Sequence, residues 1–292
     1  MLPCAITQKA GEDTPCPSAV GAETRTKEVE LLSDWGGVIN SGPVSHGPIR
    51  LADLYRIAAR HAARPLKVSV GAGPVNLAWH VYFQHYKDAR ELSYALAPIF
   101  NAEMKDLVAA GATFLQYEDL GSWLPLFTGN DDDFKWIVDV VRQCVEGVDA
   151  KVAWHFCYGN AWGNRLAGLF PRGYEAVLPH LYDAPVDQFV LDFANREMAD
   201  IDALRSLPAD KEVGIGVIDV RTTMVETPEQ VAERVRKVLE VVPAERVYLT
   251  TDCGLRNLPR IVCQMKLRAL AQGAQLVRRE LGVGEPATAA AG

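Results

Sequence analysis

Residues 212–253 read EVGIGVIDVRTTMVETPEQVAERVRKVLEVVPAERVYLTTDC, and this stretch decides the fold. EVGIGVID (212–219) is a short apolar run closed by an acid, the pattern of a strand buried on both faces. TPEQVAERVRKVLEVV (227–242) carries apolar residues at helical spacing, with Thr227 as N-cap, Pro228 at the first helical position and Glu229 in the first turn. VYLTTDC (247–253) is a second strand. Two strands joined by a helix in this way make a parallel βαβ unit.

The alternation continues on both sides. Upstream come a helix at 51–62, a strand at 67–71, a helix at 91–112 and a strand at 113–119. The helix DDDFKWIVDVVRQCVEGV (131–148) opens with three acids, which suit the positive end of its dipole. KVAWHFC (151–157) and QFVLDFA (188–194) are strands, with helices expected at 173–184 and 198–207. A last helix covers 259–281. Six such units in about 220 residues predict an α/β fold of the (β/α)8 TIM-barrel type. A doubly wound open sheet is the alternative, weakened because no GxGxxG follows an early strand. Before residue 50 only AITQK (5–9) and the 28–42 stretch read as β, so the barrel is expected to lack or modify its first strand. Residues 1–281 are expected to form a single barrel domain, with 1–48 irregular and 282–292 a disordered tail.

Composition bounds the function. The 292 residues are 49% hydrophobic and 23% charged, enough for a sizeable core. A net charge of −7 with no basic run argues against nucleic acid as a partner. No stretch approaches the roughly 20 apolar residues of a membrane span, and no signal peptide is read at the start. Six sparse, irregularly spaced cysteines do not resemble a disulfide scaffold, and a reducing cytoplasm is the expected compartment.

In a parallel barrel the active site lies at the C-terminal ends of the strands. Those ends carry Glu118 and Asp119, His155 and Cys157, Asp192, Asp219, and Asp252 with Cys253. His155 and Cys157 stand at i and i+2 of a strand and so point to one side. Together with Cys253 they make a His/Cys/Cys set, which favours Zn2+ with a fourth position open or weakly held, the pattern of catalytic zinc. Each residue alone has a blander reading. A single buried His or Cys is more often core, and Asp119 or Asp219 can equally cap the helix that follows it. Trp123 sits in a loop after a strand end, where packing competes with stacking on a flat ligand.

Four segments resemble one family. AERVYLTTDCGL (244–255) carries a D-C-G-L motif after a strand, and HFCYGN (155–160) an H-x-C. FLQYEDLGSWLPL (114–126) has a strand ending in paired acids, and KVSVGAGPVNLAWHVY (67–82) a G-P-V segment with a following Trp. These are similar to the C-terminal catalytic barrel of cobalamin-independent methionine synthase and its short single-domain relatives. The resemblance covers about residues 45–281. It implies a zinc-dependent methyltransferase of the 5-methyltetrahydropteroyltriglutamate–homocysteine S-methyltransferase kind, moving a methyl group from a methyltetrahydrofolate-like donor to a homocysteine-like thiol. It assigns the metal to His155, Cys157, Cys253 and a carboxylate, the substrate amine to Glu118 and to Glu12 of Gly11-Glu12, and an orienting role to Asp252. Asp119 and Trp123 are carried as substrate contacts, and Asp252 and Asp219 as catalytic carboxylates. Where the family has a glutamate ligand this chain has Asp192, one methylene shorter. Two other readings stand beside it: alkyl transfer to a different thiol, as in epoxyalkane:coenzyme M transferase, and a non-catalytic zinc-binding barrel.

Overall fold

A computed structural model of the protein describes residues 38–47, 50–79, 81–159 and 173–283. The expected strand at 5–9 and residues 284–292 of the expected tail lie outside them. The described residues fall into two compact units divided between Ala150 and Lys151, the second also taking in His61–Leu66.

In the first unit, β1 (Val38–Asn40) pairs in parallel with β3 (Val81–Phe83), and β2 (Val68–Ala72) in parallel with β4 (Phe114–Glu118). Residues 28–37 of the 28–42 stretch lie outside the described residues, and the described part contributes the strand Val38–Asn40. The helices are α1 (Leu51–Ala59), α2 (Pro74–Trp79), α3 (Ala89–Ala109), α4 (Leu124–Thr128) and α5 (Asp133–Val145). Asp88 caps α3, its side chain accepting from the Glu91 N–H at 2.9 Å. Helix α5 is amphipathic and buries Phe134, Ile137, Val140, Val141 and Cys144. A glutamate from the middle of α3 pins the start of α1: Glu103, buried, takes the Leu51 N–H and lies 2.6 Å from His46 Nε2.

The second unit carries a four-stranded parallel sheet in sequence order: β5 (Lys151–His155), β6 (Gln188–Asp192), β7 (Glu212–Ile218) and β8 (Val247–Thr251). All five residues of β6 are buried, as are six of seven in β7, which is what a parallel strand covered on both faces requires. Helices α7 (Pro228–Leu239) and α8 (Arg260–Glu280) follow β7 and β8. Thr227 caps α7 through a full capping box with Gln230.

Two expected helices take a different form. Residues 173–184 give a 3-10 turn (Tyr174–Ala176) and a single α turn, α6 (Leu178–Leu181), because Pro179 can only sit in a first turn and restarts the helix there. Residues 198–207 give a 3-10 turn at Ile201–Ser206. No helix among the described residues is long and apolar enough to cross a membrane.

Candidate metal centre

The second unit's strand ends supply the chemistry. His155 is the last residue of β5, Cys157 lies two residues on, and Cys253 lies two past the end of β8. One potential ligand atom from each of the three falls within 4.8 Å of the others, and no fourth His, Cys, Asp or Glu among the described residues joins them. Cys157 Sγ stands 3.7 Å from Cys253 Sγ. His155 Nδ1 lies 2.9 Å from the Val190 carbonyl, a bond that needs the proton on Nδ1 and leaves the ring's lone pair on Nε2. The Gly159 N–H points at Cys157 Sγ from 3.4 Å, a donor suited to a thiolate.

The Cys157 thiol is held well above its ordinary range, first by its bond to Cys253 and then by burial. Beside a second sulfur and out of water, the Cys157 thiol keeps its proton unless a cation lies there to favour the thiolate. The donor set fits such a cation. Two sulfurs bound to one tetrahedral zinc at about 2.3 Å stand roughly 3.8 Å apart, and these two stand at 3.7 Å with no disulfide between them. The ring nitrogen and two sulfurs are the soft donors zinc prefers.

Behind the sulfurs lie two buried carboxylates. Asp252, 0% exposed, accepts the backbone N–H groups of Phe193 at 3.1 Å, Ala194 at 3.0 Å and Asn195 at 2.7 Å. Burial and the charge of Asp192 push its carboxyl well up, while the Ala194 and Asn195 N–H groups pull the other way. Asp192 accepts the Tyr158 N–H at 3.2 Å, the Tyr174 hydroxyl and the Asn195 side-chain amide. The register of β7 and β8 shifts between Gly216 and Ile218, and the Asp252 N–H returns to the Ile218 carbonyl at 2.9 Å. A Cβ at Gly216 would stand 2.8 Å from Asp252 Cα and 3.0 Å from Asp192 Cα, so this position has room only for glycine.

Asp219, just beyond β7, pairs with Arg221, its Oδ1 3.1 Å from the guanidinium Nε. Burial would raise its carboxyl, but the bonds and charge of Arg221 outweigh it and the net shift is downward. Arg221 Nη2 also donates to the Asn195 carbonyl at 2.5 Å. The loop after β7 is fixed from below by Lys266 of α8. That lysine is 0% exposed and donates to Glu226 Oε2 at 2.8 Å, while Glu226 Oε1 accepts the Asp219 N–H at 2.8 Å.

The remaining expected site residues behave differently. In the first unit Asp119 is buried, and its carboxylate accepts from Val75 N–H (3.0 Å), Asn76 N–H (2.8 Å), Gly121 N–H (2.8 Å) and the Tyr117 hydroxyl (2.6 Å). It caps the start of α2 and the turn after β4. Burial raises its carboxyl to about 6 against the pull of those four donors. Trp123 is 1% exposed and packs in the core of its unit. Glu118, at the end of β4, is half-buried and accepts from Gln116 Nε2 at 2.9 Å. Glu12 lies outside the described residues. Asp192 does not join the His/Cys/Cys group. Sequence reading missed Asn195, Tyr174, Arg221 and the Lys266–Glu226 pair. Only Lys266 gave a signal, as a lysine inside the apolar stripe of the last helix.

Comparison with known proteins follows the same lines. Residues 38–276 match the family described as cobalamin-independent synthase, catalytic domain. A methionine synthase of Thermococcus kodakarensis is 35% identical over 230 residues, 78% of this chain and 62% of that protein. One from Saccharolobus islandicus is 35% identical over 216 residues, 74% of this chain and 59% of that protein. The chain thus spans about three-fifths of the length of these relatives. A solved structure of a B12-independent methionine synthase from Shewanella sp. W3-18-1, in complex with selenomethionine, superposes with a TM-score of 0.74 at 30% identity, covering 83% of this chain and 71% of that one. The fold is of the α/β, (β/α)8 barrel class.

Proposed function

The chain belongs to the cobalamin-independent synthase catalytic-domain family, and from that premise we propose that it is a zinc-dependent methyltransferase acting on homocysteine or a closely similar thiol. The observation that carries this is the 3.7 Å separation of Cys157 and Cys253 Sγ beside His155. His155, Cys157 and Cys253 hold the ion. Bound there, zinc supplies the positive charge that makes a thiol of ordinary pKa about 8.5 a thiolate at neutral pH.

The protein's own groups account for the rest. The Val190 carbonyl fixes the His155 tautomer, so Nε2, the nitrogen left to meet an ion, carries a lone pair rather than a proton. The Gly159 N–H stabilises negative charge on Cys157. Asp192 is engaged by Tyr158, Tyr174 and Asn195, so His155, Cys157 and Cys253 are the residues that would hold the ion. In the transfer a sulfur–carbon bond forms as the donor's nitrogen–methyl bond breaks, and the electron pair leaves with the nitrogen, which then takes a proton. The donor is read as a methyltetrahydrofolate-like molecule, and Glu118 and Glu12 as partners of the substrate ammonium. Selenomethionine bound to the Shewanella relative is consistent with a methylated chalcogen product.

The test uses the full chain and its Cys253→Ser variant, loaded with zinc and offered homocysteine with a panel of methyl donors. The wild type should carry one zinc, release a proton on adding homocysteine and form methionine with one of the donors; the variant should lose most of its metal and all turnover. A wild-type protein that carries no zinc after metal-replete purification refutes the metal centre. Zinc that never responds to homocysteine refutes the choice of thiol.

A further inference from the structure

We propose that Asn195 is the positioning residue that sets the spacing of the two sulfurs, with Asp192 and Asp252 as its clamps rather than as a metal ligand and a catalytic acid. The inference rests on the metal-centre reading above and concerns what holds that centre in shape.

Asn195 uses three groups in three directions. Its backbone N–H donates to Asp252, the residue immediately before Cys253. Its side-chain amide donates to Asp192, whose other oxygen takes the N–H of Tyr158, the residue immediately after Cys157. Its carbonyl accepts the Arg221 guanidinium from the loop after β7. The peptide groups flanking both sulfurs are therefore tied to one residue in a three-residue 3-10 turn (Ala194–Arg196). The chain of bonds runs from Cys157 through Tyr158, Asp192, Asn195 and Asp252 to Cys253. Such a closed path fixes a distance better than either strand end does alone, because a shift at one sulfur must break a buried bond to a carboxylate, and bonds to charged groups are the costly ones to lose.

The residue type follows from the same geometry. Position 195 must offer a side-chain donor to Asp192 while standing next to Asp252. An aspartate there would add a third carboxylate to the two already buried, and a leucine would remove the donor. The Asp192 carboxylate, for its part, would have to release the Tyr174 hydroxyl, the Tyr158 N–H or the Asn195 amide before it could turn to a metal. The structure instead uses it to hold the chain beside one.

The test compares wild type with Asn195→Ala in two assays. In the first, each protein is loaded with cobalt(II) as a spectroscopic stand-in, and zinc affinity is measured by competition with a chelator. Asn195→Ala should weaken zinc binding by about 10–100-fold, the usual effect of losing a group that orients ligands, and should shift the sulfur-to-cobalt charge-transfer band. In the second, the metal-free proteins are titrated with phenylarsine oxide, which needs two thiols within reach of one arsenic. Wild type should bind it stoichiometrically, and the variant more weakly by a similar factor. Wild-type affinity and an unshifted band in Asn195→Ala overturn the proposal. A wild type that binds phenylarsine oxide but neither zinc nor cobalt overturns the metal reading instead, and leaves the arsenic titration to decide on Asn195. Should Asn195→Ala not fold, Arg221→Lys carries the test. It withdraws the guanidinium from the Asn195 carbonyl and should weaken zinc binding several-fold; unchanged affinity refutes the network.

Discussion

Two glycines in one strand give a sharp test of how tightly the strand ends are packed. Gly214 and Gly216 both lie in β7 and point the same way. A Cβ at Gly214 would meet Val190 Cγ2 at 3.0 Å and Gln188 Oε1 at 3.3 Å, side-chain atoms that give by a few tenths of an ångström. A Cβ at Gly216 would meet the Cα atoms of Asp252 at 2.8 Å and Asp192 at 3.0 Å, which move only with their strands. Overpacking of a core costs about 1–3 kcal/mol. Gly214→Ala belongs at the low end, about 1 kcal/mol, and Gly216→Ala at or above the high end, about 3 kcal/mol. Thermal unfolding followed by circular dichroism should show Gly216→Ala falling by roughly 6–12 °C, taking about 2–4 °C per kcal/mol for a chain of this size. Because the strain falls on the two residues that tie down Cys157 and Cys253, zinc content should fall with it, while Gly214→Ala keeps its zinc. Equal Tm losses in the two variants, or a Gly216→Ala protein with full zinc and wild-type stability, would refute the packing argument.

Asp119 makes stability depend on pH. Its carboxyl rises from 3.8 to about 6 on folding, so between those values the native state binds more protons than the unfolded chain, and stability should fall as pH rises from about 4 to 6. A rise of that size is worth about 3 kcal/mol at most. Asp119→Asn should flatten this slope in denaturant titrations at several pH values, and an unchanged slope would rule out Asp119 as its source. Lys266→Met leaves Glu226 buried with Arg234 3.5 Å away as its remaining cation, and should cost about 3 kcal/mol. Adding Glu226→Gln should recover much of that loss in a double-mutant cycle, and a purely additive double mutant would show that the pair is not coupled.

The sheet of the second unit was legible because β6 and β7 are buried on both faces and read as unbroken apolar runs. The Thr227 cap was legible for a similar reason: Thr-Pro at the head of a helical pattern has few other uses. Short elements were not. Helix α2 has six residues and β3 three, too few to show a period. His155, Cys157 and Cys253 could be grouped from sequence because strand direction alone brings strand ends together. The carboxylates could not be sorted that way. Asp119, Asp192 and Asp252 look alike as acids at strand ends, and the backbone N–H groups that each accepts come from segments whose path the sequence does not show. Asn195 gave no signal, because its role depends on a turn whose path the sequence does not encode in any periodic form.

The 3.7 Å gap between Cys157 and Cys253 has a redox side. Once oxygen or a peroxide has converted one of two neighbouring sulfurs to a sulfenic acid, the other lies within reach to displace water from it and close a disulfide. An ion seated between them occupies both sulfurs' lone pairs and blocks that route. Stripping the metal in air therefore invites a crosslink that zinc added afterwards cannot reverse, whereas stripping it in the presence of a reductant leaves both ligands ready to be refilled.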